Sequence, residues 1–389
     1  MSIRLDQAAT WAALPPVWAD EVRAEIHAAI SSSPERLCVL DDDPTGTQTV
    51  HGLSVYMDWS VETLAQALLS TEVSFYVLTN SRSLSASATQ QLHQAIGANL
   101  RAASLRTGIP FRVISRSDST LRGHFPAELT ALEAGLHQSF DAWLLIPCFF
   151  EGGRYTLGNT QYVADEGQLV PADRTPFAHD AAFGYRSAYL PAWVEEKTGG
   201  HVSASQVASI DLADLRGQGP TFVADKLRTL QDGAVCVVNA VCYDDLEVFV
   251  AGLLRAEGAG GRYLYRTAAS FAAVRSAIFE RRLVRGAALA ADAARGGLIV
   301  VGSYVPKTGR QLDALLESGV DCALEVDVQA LLDDRRREYA IAEWSAAAEH
   351  ALRQGHDAVI YTSRALVRAE DAETSLQIGQ RISEGLIAL

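Results

Sequence analysis

The first strongly apolar run of the chain ends in Asp41-Asp42-Asp43-Pro44-Thr45-Gly46-Thr47-Gln48. Three adjacent carboxylates repel one another, and a surface turn seldom needs three. The plain alternative is a polar turn with an Asp capping a helix. The chemistry that suits the pattern is general base catalysis. An aspartate would take a proton from a substrate hydroxyl while Thr45-Gly46 lets backbone N–H groups approach an anion.

Two more polar runs follow apolar ones. Thr79-Asn80-Ser81-Arg82-Ser83 puts an arginine just outside a strand end, where its fork of donors suits a carboxylate. Ser115-Arg116-Ser117-Asp118-Ser119-Thr120-Leu121-Arg122-Gly123-His124 holds two arginines, one carboxylate and four hydroxyls within ten residues. Hydroxyls with arginines bind polyhydroxylated anions, and Asp118 could take a hydroxyl proton or hold Mg²⁺ indirectly. A helix cap at Ser117 or Ser119, with Arg122 paired to Glu128 in solvent, is the structural alternative. His124 by itself reads as structural.

A phosphatase competes for the first run. Asp41-x-Asp43-x-Thr45 matches the strand-end nucleophile motif of haloacid-dehalogenase-like phosphatases, and Tyr76-Val77-Leu78-Thr79-Asn80 supplies their second motif. The third and fourth motifs need a lysine and an acidic pair. Lys226 and Asp244-Asp245 could be offered, although Asp244 lies five residues beyond Asn239 at what reads as a helix start.

The elements that must hold these runs alternate along the chain. Strands are expected over 37–40, 54–57, 75–78, 111–114 and 143–146, with helices over 61–69, 89–104 and 126–136 between them. Such alternation gives a mainly parallel sheet with helices on both faces, and ligands then sit outside the carboxyl ends of the strands. Over 149–183 the alternation breaks, and Gly158-Asn159 marks a hairpin turn. It resumes with a strand at 235–238, a helix at 244–256, a strand at 263–265 and a long helix from Ser270. A second unit then carries strands at 298–301, 323–326 and 358–361, with helices over 311–317, 328–352 and from Ala372. The boundary falls in the Ala/Gly/Arg-rich stretch 286–297, which divides the chain into residues 1–285 and 286–389. The expected class is α/β, in two domains that are each a mainly parallel sheet flanked by helices.

Composition narrows the partners. Against 47 Asp+Glu the 389 residues carry 33 Lys+Arg, a net charge of −14. That balance disfavours a nucleic-acid binder, which needs a basic surface, but leaves room for a small anionic substrate met by local arginines. No stretch reaches the roughly 18 apolar residues of a membrane span, and the N-terminus lacks a signal-peptide pattern. The five cysteines form no C-x-x-C pair and read as free thiols of a cytoplasmic protein. No metal site is marked by spacing, and a homo-oligomer is left open.

Taken in order, the motifs resemble the four-carbon acid sugar kinase family. The resemblance lies in Asp42-Asp43-x-Thr45-Gly46, Ser81-Arg82 and Arg116 to Gly123. It continues through Phe150-Glu151-Gly152-Gly153-Arg154-Tyr155-Thr156, Phe183-Gly184-Tyr185-Arg186-Ser187, Arg266-Thr267-Ala268-Ala269-Ser270-Phe271 and Gly302-Ser303-Tyr304-Val305-Pro306-Lys307-Thr308-x-x-Gln311. It covers residues 36 to 389. The resemblance implies ATP- and Mg²⁺-dependent phosphorylation of threonate, erythronate or a 3-oxo-tetronate, with acid sugar and ATP as partners. It implies an acid-sugar domain over 1–285 and a nucleotide domain over 286–389, with substrate contacts at Asp42 or Asp43, Arg82, Arg116, Ser117 and Ser119; Arg122 is expected beside them. The expected base is Asp43, with Asp118 second. The Asp-Asp-Asp-Pro-Thr and Arg-Ser-Asp-Ser forms are a variant of the family pattern.

There is no G-x-x-x-x-G-K-[ST] loop, because Pro306 stands where that loop needs glycine. The turn at Gly302, Ser303 and Thr308 still leads from a strand into a helix, whose first amides suit a phosphate. The family places an ATP contact on the serine that matches Ser303. Family members also carry a later Gly-Gly-x-Thr phosphate loop and further sheet, so the expectation is a truncated C-terminal domain. A chain without that loop could instead be a non-catalytic acid-sugar binder.

Overall fold

A computed structural model describes residues 4–279, 296–364, 366, 367, 369 and 371–389. The chain divides into two compact units, Met1–Glu280 and Arg281–Leu389. The boundary expected at residues 285 and 286 lies outside the described residues.

In the first unit the strands are β1 (Leu5–Asp6), β2 (Arg36–Asp41), β3 (Val55–Tyr56), β4 (Ser74–Leu78), β5 (Phe111–Arg116), β6 (Ala142–Ile146), β7 (Arg154–Leu157), β8 (Thr160–Asp165), β9 (Gln168–Pro171), β10 (Ala208–Ile210), β11 (Ala234–Val238) and β12 (Tyr263–Thr267). Eight of them form one sheet in the order β10-β11-β6-β12-β5-β2-β4-β3, and its pairings are parallel. Their side chains alternate between two cores. Val39, Tyr76, Ile114, Leu144 and Tyr265 pack into one. Cys38, Leu40, Phe75, Val77, Val113, Leu145 and Leu264 pack into the other. Both faces are covered, which is why these strands read as unbroken apolar runs.

The helices begin and end where local chemistry dictates. Ser60 caps Val61–Leu69 by accepting from the Thr63 N–H, and Ser85 caps Ala86–Thr107 in the same way. The latter runs beyond the expected 89–104 until Gly108, at φ 71°, turns the chain into the left-handed region. The expected long helix from Ser270 is short within the described residues, Ala269–Arg275. Strand β7 joins β8 through Gly158 and Asn159, at φ 55° and 58°, the two-residue turn of a tight hairpin. This hairpin extends through β9 to β1 as a small antiparallel sheet.

The second unit holds β13 (Leu298–Val301), β14 (Cys322–Val326) and β15 (Ala358–Thr362) in the parallel order β13-β15-β14. The helix expected over 328–352 is two helices, Val328–Leu332 and Arg337–Arg353. Asp333 ends the first in extended backbone, at φ −87° and ψ 114°, and its carboxylate accepts from the Arg335 N–H at 2.9 Å in the turn between the two. Among the described residues no helix is long and apolar enough to cross a membrane.

Candidate active site

The chain leaves β2 for β3 and β4 on one side and returns to β5 on the other. That reversal opens a crevice outside the carboxyl ends of β4, β2 and β5, the place where open α/β sheets bind ligands. All three polar runs converge there.

Arg82 organises the crevice. Asn80, at φ 49°, bends the chain after β4 into the short helical turn Ser81–Ser83. The guanidinium then comes back over the end of β2. Its Nη2 and Nε donate to the two oxygens of Asp42 at 2.6 and 3.1 Å, and its Nη1 donates to Asp43 at 2.8 Å. Asp118 stands 3.9 Å from Nη1. Burial disfavours the Arg82 cation, but Asp42, Asp118 and Asp43 outweigh it and hold the guanidinium firmly protonated. Three carboxylates can therefore approach one another.

Asp43 sits at the rim. Its Oδ1 accepts from the Thr45 N–H at 2.7 Å and from the Thr45 hydroxyl. Burial pushes its carboxyl up, yet Arg82 and Thr45 more than compensate and leave it below its ordinary value. Asp118 is held the same way by the loop after β5. Its Oδ2 accepts from Arg122 Nε at 2.8 Å and from the Thr120 hydroxyl. Burial again opposes the charge, and Arg122 and Arg82 overcome it, so Asp118 lies well below the usual carboxylate range.

Asp41 differs from Asp43 and Asp118, and burial raises its carboxyl as it does that of Asp42. It is 2% exposed, and its Oδ1 lies 3.3 Å from Arg116 Nη1. Burial pushes its carboxyl up to about 7 despite that arginine. Gly46 lies directly on the carboxylate, so nothing can approach Asp41 from the crevice without moving the loop. The acidic pair offered for a phosphatase is also misplaced. Asp245 is the fully buried partner of Arg216 and accepts from the Val241 and Cys242 N–H groups at a helix start. That helix follows β11, four strand spacings from β2, about 19 Å at ~4.8 Å each. Lys226 is bound to Asp214 at 2.6 Å. The parts of the phosphatase motif set are thus dispersed.

Ser117 is fully buried, and its hydroxyl donates to Glu128 at 3.1 Å. Glu128 also accepts from Arg266 at 3.0 Å, so Ser117 serves an internal ion pair. Ser119 is 8% exposed and makes no side-chain hydrogen bond among the described residues. Arg122 pairs with Asp118 rather than Glu128, and approaches Asp180 at 3.6 Å. His124 is structural, its Nε2 3.0 Å from the Leu84 carbonyl and its ring edge-on to Phe183.

The hairpin strands add residues to which the spacing assigned no role. Gln161, fully buried on β8, donates to the carbonyls of Ser119 and Pro147 at 2.8 and 2.7 Å. The Tyr185 hydroxyl donates to the Thr120 carbonyl at 2.8 Å. Arg154, at the start of β7, brings its guanidinium to 5.7 Å from the Phe177 ring, on which Arg122 also rests at 5.0 Å. Arg154, Tyr185 and Arg266 lay within the family-like runs, but Gln161, Phe177 and Asp180 had no sequence signal.

In the second unit, Gly302 and Ser303 lie between β13 and the helix Pro306–Glu317, and Thr308 lies in that helix's first turn. The Gly302 and Ser303 carbonyls accept from Thr362 and Arg364, at 3.3 and 2.8 Å. Neither Ser303 nor Thr308 caps the helix. Val305 occupies that position without a side-chain bond, and no acidic residue lies in the first turn. These features fit the phosphates of a nucleotide.

Comparison with known proteins agrees with this division. Residues 37–275 match the model of a sugar-binding N-terminal domain and residues 298–389 that of a nucleotide-binding C-terminal domain. No curated protein matches the chain. A Bordetella bronchiseptica structure of a domain of unknown function, DUF1537, solved with citrate as a domain-swapped dimer, is 21% identical. The match covers 90% of this chain and 79% of that one, with a TM-score of 0.48. A Haemophilus influenzae DUF1537 protein is 16% identical over 90% and 80% of the two chains, with a TM-score of 0.49. A Salmonella typhimurium LT2 protein, solved under a provisional tRNA synthase name, is 15% identical over 90% and 83%, with a TM-score of 0.54, and shares the fold. With sugar-binding and nucleotide-binding models matched in succession over most of its length, the chain belongs to the four-carbon acid sugar kinase family.

Proposed function

We propose that the protein phosphorylates a hydroxyl of a four-carbon acid sugar, of threonate, erythronate or 3-oxo-tetronate type, at the expense of ATP. The observation that carries this reading is the gathering of Asp42, Asp43 and Asp118 around Arg82 at the switch point of a sugar-binding domain. Polyols are held by carboxylates that accept from their hydroxyls, and acids by guanidinium groups. Both are present in one crevice.

Asp43 is the group we assign as base. It is the most exposed of the three consecutive aspartates, and Arg82 with Thr45 fixes its direction. Held below its ordinary value, it stays ionised and can accept the proton of an aligned hydroxyl as transfer proceeds. Asp118, fixed by Arg122 and Thr120, would orient a second hydroxyl. Most of the rate enhancement in phosphoryl transfer comes from alignment and charge neutralisation, which a rigid, ion-paired crevice supplies. ATP with Mg²⁺ brings the phosphoryl group, and Ser303 with the first amides of the helix Pro306–Glu317 would receive its phosphates. Incubation with ATP, Mg²⁺ and a panel of four-carbon acid sugars should release ADP and a phosphorylated acid. Silence across the whole panel would remove the kinase reading and leave an acid-sugar binder.

A further inference from the structure

The crevice contains several arginines, and they are not equally available. Arg82 uses three nitrogen atoms on Asp42 and Asp43. A ligand carboxylate at Arg82 would have to displace one of those aspartates and face the others. Arg116 lies against Asp41 and Asp42, at 3.3 and 3.8 Å. Arg122 is committed to Asp118 at 2.8 Å and approaches Asp180 at 3.6 Å.

Arg154 is the exception. Among the described residues no carboxylate stands within ion-pair distance of it. Its Nη1 donates to the neighbouring Gly152 carbonyl, and its Nε is buried without a partner. Burial lowers its affinity for the proton, Asp118 offsets this in part, and Arg122 adds to it. A partly buried guanidinium lacking a counter-charge is costly, and a carboxylate is the group that relieves it most. Arg154 and Arg122 both lie over Phe177. An apolar floor beneath two guanidinium groups offers an anion little competition from water.

We propose that Arg154, assisted by Arg122 across Phe177, is the receptor for the carboxylate of the sugar acid, and that Arg82 is a positioning residue that holds Asp42 and Asp43. This rests on the acid-sugar reading above. The substrate would then lie with its acid end against β7 and its hydroxyls towards Asp118 and Asp43. Preference for an acid over the corresponding polyol would reside in the hairpin, not in the turn after β4.

The test is calorimetric titration of the full chain with threonate and erythronate, and with threitol and erythritol, which keep hydroxyls but lack the carboxylate. Wild type should favour the acids. Arg154→Ala should weaken the acids at least 50-fold and change the polyols less than about threefold, erasing the preference. Arg154→Lys, which keeps the charge but not the fork, should fall between and guards against misfolding of the alanine variant. Arg82→Ala should keep the preference for acid over polyol. The proposal is overturned if Arg154→Ala binds the acids like wild type, if Arg82→Ala alone erases the preference, or if wild type binds neither acid. The titrations need no turnover, so they judge Arg154 separately from the ADP-release assay that judges the kinase.

Discussion

The Cβ that Gly46 lacks would fall onto the carboxylate of Asp41. The backbone after β2 thus lies against the buried carboxylate, and the Asp-x-Thr-Gly turn can close only over a residue without a side chain. Gly46→Ala must move either the loop or Asp41. We expect it to lower stability by about 1–3 kcal/mol and to reduce turnover at least tenfold, because Asp43 and Thr45 ride on the same turn. In a denaturant double-mutant cycle with Asp41→Ala, which frees the space, the two losses should be markedly less than additive.

Stability should carry an unusual pH signature. The Asp41 carboxyl is raised by burial to about 7 in the folded protein, against 3.8 as its ordinary value. As pH rises between those values, the unfolded chain loses a proton that the folded one retains, so stability falls across that window. Asp43 and Asp118 are lowered, and their contribution is present above 3.8 and lost as pH drops through their folded values. Asp42 is raised by burial as well, so Asp41→Asn should make the decline between about pH 4 and 7 shallower without abolishing it, and leave the acid limb in place. Urea unfolding at a series of pH values reads both limbs, and an unchanged slope in the variant would contradict the assignment.

Removing Arg82 should do more structural harm than its place on the rim suggests. Asp42 is 4% exposed and depends on two charged hydrogen bonds from this one side chain. Arg82→Ala is expected to cost about 3–5 kcal/mol by stranding a buried charge. Acid-sugar binding should weaken as the carboxylates move apart, while nucleotide binding stays nearly intact. Thermal shift with and without ATP separates the two effects.

Asp43→Asn preserves the shape of the side chain and removes its capacity to take a proton. We expect kcat to fall by about 10²-fold or more, with the KM for ATP changed less than about twofold. A fall shared equally by Asp118→Asn and Asp43→Asn would instead indicate that both orient the substrate. Steady-state ADP release under saturating acid sugar distinguishes these outcomes.

Gln161 links the hairpin to the loop that carries Asp118. Its amide satisfies two buried carbonyls, and its oxygen accepts from the Thr156 hydroxyl at 2.7 Å. Gln161→Leu has nearly the same size but strands all three groups, at about 1–3 kcal/mol each before water or relaxation relieves them. A raised KM for the acid sugar with kcat nearly kept would show that this residue positions the loop, whereas loss of secondary structure by circular dichroism would show a purely structural role.

Much of the first unit was legible in the sequence because its central strands are buried on both faces. Runs such as 75–78 and 235–238 have no polar interruption, and the first ends in polar residues that face the crevice. Helix ends were less legible. Ala86–Thr107 begins at the Ser85 cap and stops at Gly108, both outside the apolar pattern that marked its middle. The run over 328–352 looked continuous because the break is a turn of the backbone, extended at Asp333, which periodicity does not register.

Residue type and order were enough to bring Asp43, Arg82, Asp118 and Arg122 to one crevice, since a parallel sheet delivers the ends of neighbouring strands to the same edge. They also carried the family. What type and order could not decide is which groups are already spent. Ser117 and Ser119 are alike in sequence, yet one hydroxyl serves Glu128 and the other makes no side-chain bond among the described residues. Asp41 and Asp43 are two residues apart, but Gly46 covers one and leaves the other at the rim. Arg82 and Arg154 are the same residue type, and only the fold surrounds the first with carboxylates and, among the described residues, leaves the second with none in ion-pair reach. Charge compensation depends on distances between segments far apart in the chain, and those exist only once the hairpin has closed on the sheet.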